Sequence, residues 1–174
     1  MPVAQQLELE KHVLCIKDFP SPGVLFRDIN PLLKDHFDAV LDSMTALLSV
    51  QEWDNIDCIA GIEARGFILA AGLAAKHKKG VVPIRKKGKL PGPVEQISYQ
   101  LEYGTDCLEM APGSGSVLIV DDVLATGGTL SAAVQLAEKT SYCVQNAMVL
   151  IDLTFLNQFR IKNRSALSVI QYGQ

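Results

Sequence analysis

Residues Val117–Thr129, "VLIVDDVLATGGT", join an apolar run, two adjacent carboxylates and a turn of Ala, Thr and Gly in one short stretch. Val117 to Val120 reads as a buried strand, because a short apolar run bounded by turn residues is the pattern of a parallel sheet covered on both faces. After the turn comes "TLSAAVQLAEK", in which Leu130, Val134 and Ala137 fall on one helical face. A turn feeding a helix aims the free N–H groups of Ala125, Thr126, Gly127, Gly128 and Thr129, with the positive end of the helix dipole, at one point. Glycine lets the backbone approach a ligand closely, and the Thr hydroxyls add donors, so this nest suits a phosphate. Asp121 and Asp122 stand just upstream. Carboxylates accept hydrogen bonds from vicinal hydroxyls, so a sugar with its 5-phosphate in the nest would present its 2- and 3-hydroxyls to them. The stretch is not a Walker loop, and "GSGSVL" from Gly113 precedes a strand where a dinucleotide fingerprint would follow one.

The pattern repeats outward. "IDCIAGI" (56–62), "VVPIR" (81–85), "VQNAMVLIDL" (144–153) and "LSVIQY" (167–172) read as strands, and "GFILAAGLAAKH" (66–77) as a helix. This alternation predicts an α/β fold with a mainly parallel sheet flanked by helices, in one domain over 1–174. From His36, the positions Phe37, Val40, Leu41, Met44, Leu47 and Leu48 trace one helix face, with Asp35 as N-cap. Leu9, Val13 and Ile16 recur at helical spacing, whereas Pro20 and Pro22 predict an irregular loop over Asp18–Leu33. Gly88–Ala111 alternates polar and apolar residues around Gly104, as a two-stranded excursion or flap does. Ligands of open α/β sheets bind at the carboxyl ends of the strands. "GIEARGF", "PIRKKGK" and "VDDVLATGGT" all fall there.

A chain of 174 residues, 48% hydrophobic and 20% charged, can bury a sizeable core as one globular domain. No apolar run approaches the roughly 20 residues that cross a bilayer. The start "MPVAQQLELEKHVL" shows no signal peptide, so a cytoplasmic protein without membrane partners is expected. Cys15, Cys58, Cys107 and Cys143 form no CxxC pair and read as small apolar residues in a reducing compartment, with no metal-ligand set. A net charge of -3 speaks against a nucleic-acid partner. The cluster "RKKGK", Arg85–Lys89, is either a solvated loop or the seat of a local anionic ligand.

Val117–Thr129 resembles the phosphoribosyl-pyrophosphate signature of the type I phosphoribosyltransferases. "DFPSPGVLFRDINPLL", "GIEARGF", and "IRKKGKLPGP" with "SYQLEYGTD" resemble the hood, pyrophosphate loop and flexible flap of the adenine-specific members, and the likeness spans Asp18–Leu136. It implies the type I fold, a twisted sheet with an N-terminal hood near 1–33 and a flap near 88–111. It also implies transfer of 5-phosphoribose from phosphoribosyl pyrophosphate to adenine, giving AMP and pyrophosphate in purine salvage. Mg²⁺ would be held mainly through substrate phosphates and ribose hydroxyls, and the enzyme would be a homodimer. Neither Asp121 nor Asp122 is assigned as a metal ligand.

On this resemblance Asp121, Asp122, Ala125, Thr126, Gly127, Gly128 and Thr129 bind ribose and its 5-phosphate. Glu63, Ala64, Arg65, Arg85, Lys86 and Lys89 face pyrophosphate, with a non-proline cis peptide near Glu63 and Ala64. Leu25, Phe26, Arg27 and Val123 serve adenine, Arg27 through its main chain. Glu102 is the general acid or base, Arg65 the catalytic cation, and Tyr103 helps close the flap. The segment "MAPGSGS" (110–116) is shorter than the family's usual link, "EKTSYCVQNA" lacks the usual glycine, and the tail from Thr154 keeps only a weak likeness. A transferase for another purine would need a donor for the purine oxygen, where "LIDLTF" offers only Asp152. A non-catalytic sensor of the sugar phosphate would need a nucleic-acid face.

Overall fold

The computed structural model describes residues 8–101 and 104–173. Glu102 and Tyr103, expected to act in the flap, lie outside the described residues. Two short strands, β1 (Leu14–Lys17) and β2 (Leu25–Asp28), pair antiparallel as a surface ribbon. Helices α1 (Asn30–Asp35), α2 (Phe37–Thr45) and α3 (Val50–Asp54) follow, then β3 (Cys58–Ile62), α4 (Arg65–His77) and β4 (Gly80–Lys86). The hairpin β5 (Glu95–Leu101) and β6 (Gly104–Met110) leads into β7 (Gly115–Leu124), α5 (Gly128–Lys139), β8 (Tyr142–Leu153) and β9 (Leu167–Tyr172).

The main sheet runs in the order β5-β6-β4-β3-β7-β8-β9. From β4 through β3, β7 and β8 to β9 every pairing is parallel, while β6 joins β4 antiparallel and carries β5 at the edge. The period of two along a strand divides β7 between two apolar layers. Leu118 and Val120 pack with Val40, Met44, Leu69 and Leu73 of α2 and α4. Val117 and Ile119 pack on the opposite face with Ala133, Leu136 and Ala137 of α5. Burial on both faces is why β3 is apolar along its whole length, and why the helix between β3 and β4 can bring them into parallel register.

Three local readings are corrected. Ile16 lies on β1 opposite Phe26, so only Leu9 and Val13 of the first apolar series enter the core. Asp18–Leu33 is not irregular throughout: the two prolines sit in the turn between β1 and β2, and Pro31 occupies the first turn of α1, where a missing N–H costs nothing. The N-cap of α2 is His36, without a side-chain capping bond, because Asp35 still belongs to α1. Helix α3 was not anticipated; a reciprocal capping box of Ser49 and Glu52 starts it.

Candidate active site

Strand β7 does not stop at Val120; it continues through both acids to Leu124. Alternation within the strand therefore sends the two carboxyl groups different ways. Asp122 is 7% exposed, while Asp121 lines an open cleft. The Asp122 N–H donates to Asp121 Oδ1 at 2.9 Å. Burial pushes the Asp121 carboxyl well above the ordinary aspartate range, and the neighbouring charge of Asp122 pushes the same way.

Arg65, the first residue of α4, brings Nε to 2.7 Å from Asp122 Oδ2, an ion pair without hydrogen-bond alignment. Its guanidinium carbon lies 5.0 Å from the centre of the Phe26 ring. Gly66 permits this arrangement. A Cβ there would fall 2.8 Å from Val120 O and 3.0 Å from Asp121 Oδ1, so only glycine lets the start of α4 rest on the β7 backbone beside the acids.

At the turn expected to hold the phosphate, Gly127 is the N-cap of α5 at φ 90°, without a side-chain capping bond. No side-chain cap takes the first-turn N–H groups, an arrangement that suits an anion. Strand β5 runs over this turn: a Cβ on Gly128 would lie 3.1 Å from Gln100 O and 3.8 Å from Tyr99 Cδ2. A methyl group must move the flap strand by a few tenths of an ångström. Gly128→Ala is therefore expected to lower kcat/KM about tenfold with little change in Tm, read by steady-state kinetics and thermal unfolding.

The cleft has a volume of about 670 Å³. One wall is the ribbon, with Gly23, Val24, Leu25, Phe26 and Arg27; the floor is Arg65 with Asp121, Val123, Leu124 and the turn Ala125, Thr126, Gly127 and Thr129. Leu130, Leu153, Phe155 and Leu156 complete it. The proposed adenine and ribose phosphate residues thus face one space, with Asp122 behind Arg65 and Gly128 beneath Gln100. Leu153, Phe155, Leu156 and Gly66 were not anticipated. The only signal for the first three was an apolar cluster just after a strand end.

The residues expected to face pyrophosphate lie at or just after the ends of β3 and β4 and at the start of α4. The Glu63–Ala64 peptide is cis, as the resemblance implied. Glu63 accepts the Lys86 N–H at 3.0 Å and Arg85 Nε and Nη2 at 3.3 Å each. Those donors, the Lys86 N–H foremost, hold its carboxyl below the usual range. Arg85 Nη1 also donates to Lys89 O at 3.1 Å, and Lys86 Nζ pairs with Asp106 at 2.9 Å. The Lys89 side chain is exposed. Among the described residues no group of three or more His, Cys, Asp or Glu is gathered to hold a metal ion.

Residues 36–154 match the phosphoribosyl transferase domain family. The adenine phosphoribosyltransferase of Bdellovibrio bacteriovorus is 49% identical over 166 residues, which cover 95% of this chain and all (100%) of that protein. A solved adenine phosphoribosyltransferase from Rhodothermus marinus matches with a TM-score of 0.84 at 40% identity, covering 97% of this chain and 99% of that one. The Saccharomyces cerevisiae enzyme, solved with adenine and an imino-altritol bisphosphate, gives 0.82 at 33% identity over 95% of this chain and 97% of its own.

Proposed function

This chain belongs to the adenine phosphoribosyltransferase family and has the type I phosphoribosyltransferase fold, and on that premise we infer how it converts adenine and phosphoribosyl pyrophosphate to AMP and pyrophosphate. One observation carries the reading: a single cleft is lined by the apolar side chains of Leu25, Phe26 and Val123, by Arg65 and Asp121, and by the turn residues Ala125, Thr126, Gly127 and Thr129. Adenine packs against that wall and pairs with main-chain groups at Arg27. The 5-phosphate takes the N–H groups of Ala125 to Thr129. Asp121 and Asp122 hold the ribose hydroxyls.

The bond from the anomeric carbon to pyrophosphate breaks as N9 of adenine forms its bond to that carbon, through a sugar cation. Negative charge grows on the departing pyrophosphate, where Arg65, with Arg85, Lys86, Lys89 and the Glu63–Ala64 loop, stabilises it. The carboxylates of Asp121 and Asp122 sit next to the positive sugar. Glu102 acts as general base at an adenine ring nitrogen and accepts the proton that adenine gives up as N9 bonds to the anomeric carbon, and Tyr103 helps close the flap over the site. Mg²⁺ would be shared with substrate hydroxyls and phosphates on the side of Asp121, which lines the cleft, because Asp122 Oδ2 is taken by Arg65 Nε at 2.7 Å. Once bound, that ion neutralises the leaving group.

The chain acts as one domain, with the hood over 1–33 and the flap over 88–111. A homodimer is what the resemblance implies, and four free cysteines support a reducing cytoplasm. No helix of the described residues is long and apolar enough to cross a membrane. Turnover assays with phosphoribosyl pyrophosphate, Mg²⁺ and each of adenine, hypoxanthine, guanine and orotate test the assignment. AMP formation from adenine at a rate far above the others is expected; inertness toward adenine overturns the reading.

A further inference from the structure

Glu109 is 1% exposed, an uncommon place for an ionisable side chain unless its oxygens are fully engaged. It stands on β6 in register with Arg85 on β4. Its Oε1 accepts the N–H groups of Lys89 at 2.6 Å and Leu90 at 2.7 Å. Its Oε2 accepts the Gly88 N–H at 2.9 Å and Gln96 Nε2 at 3.2 Å. The Gly88 N–H above all, with the other donors, holds this carboxyl below the usual glutamate range, so it is a full anion at neutral pH. Three successive backbone N–H groups converging on one anion make a nest, and here the protein fills the nest itself.

The filled nest shapes what surrounds it. With 88–90 wrapped around Glu109, the Lys89 carbonyl is turned to receive Arg85 Nη1 at 3.1 Å. Arg85 in turn lies on Glu63, one residue before Ala64 and two before Arg65. Gln96 brings β5, the strand that crosses the phosphate turn, onto the same carboxylate. Basic turn, pyrophosphate loop and flap strand therefore share one buried anchor.

We propose that Glu109 is a positioning residue for the pyrophosphate end of the reaction: by binding the N–H groups of Gly88, Lys89 and Leu90 it fixes the turn that presents Lys89 and braces Arg85 against Glu63. The proposal rests on the pyrophosphate assignment above. A carboxylate that served only as a fold anchor would, when altered, lower Tm and leave the substrate dependence of the folded fraction unchanged.

The test is steady-state kinetics of the full chain. Glu109→Gln keeps the size but replaces one acceptor with an NH₂ group facing N–H donors. It is expected to raise KM for phosphoribosyl pyrophosphate about tenfold or more while KM for adenine and kcat stay within about threefold. Gly88→Ala attacks the same turn from the other side with the carboxylate intact, because Gly88 sits at φ 80°, where alanine is strained although no atom crowds it. The same split is expected, and this variant decides the matter if Glu109→Gln does not fold. An unchanged KM for phosphoribosyl pyrophosphate in a folded variant, or an equal rise in both KM values, overturns the role of Glu109. Failure of the wild-type chain to make AMP refutes the underlying reading instead, so the two failures are separable.

Discussion

Arg65→Ala is expected to lower kcat/KM for phosphoribosyl pyrophosphate about a hundredfold or more, the usual scale for loss of a contact to charge developing in a transition state. Three features converge on this side chain. It heads α4 at the cis Glu63–Ala64 loop, its Nε lies 2.7 Å from Asp122, and its guanidinium stacks near Phe26. Its side chain is 31% exposed, and that exposure faces the cleft. Truncation removes the cation that meets the leaving group and also strips Asp122, at 7% exposure, of its countercharge. Both losses act against turnover, and the second also lowers Tm. Arg65→Lys restores a charge but not the planar fork, so an intermediate loss is expected, with KM for phosphoribosyl pyrophosphate carrying most of it. Initial rates over a range of phosphoribosyl pyrophosphate at saturating adenine give the answer. Near wild-type kinetics for Arg65→Ala would remove this residue from the mechanism.

The central strands were legible because covering both faces of a parallel sheet demands unbroken apolar runs, and β3, β7 and β8 have them, whereas β9 at the sheet edge buries only Val169 and Ile170. The surface ribbon was not. Its strands are short and largely exposed, so their residues carry no burial pattern to read, and the prolines that seemed to forbid structure merely occupy the turn. The carboxylate pair was misplaced as structure: polar residues look like a strand end, yet β7 pairs with β8 through Asp121 to Leu124. The turn at Ala125–Thr129 is local in sequence, so spacing alone placed it ahead of a helix, as the start of α5 shows. Spacing could not single out Glu109, Gly66, Phe155 and Leu156, because each acts on a segment distant in the chain. Glu109 reaches back to 88–90, Gly66 meets Val120 and Asp121, and the two apolar residues close a cleft begun by β2.

Asp121→Asn is expected to cost about a hundredfold or more in kcat/KM and at the same time to raise Tm. The amide keeps the volume of the carboxyl and leaves Oδ1 in place to accept the Asp122 N–H, so the strand has no reason to shift. What disappears is a charge held in a desolvating position next to a second carboxylate. The sign follows from linkage. In the folded chain the Asp121 carboxyl titrates well above the value of about 3.8 that it has when unfolded, so the native state binds the proton more tightly. That contribution to stability is fully present below the unfolded value and is lost as pH rises through the native one. The neutral amide has no such loss. The Tm advantage of Asp121→Asn should therefore be small at acid pH near the ordinary aspartate value and should grow as pH rises toward neutrality. In catalysis the ranking inverts, because ribose hydroxyls donate to a carboxylate more strongly than to an amide oxygen and a neutral group does nothing for a sugar cation. Thermal unfolding of both proteins across pH, beside kinetics at neutral pH, checks the pair of effects. A Tm difference independent of pH would deny the buried charge its role, and unimpaired turnover would deny Asp121 its place on the ribose.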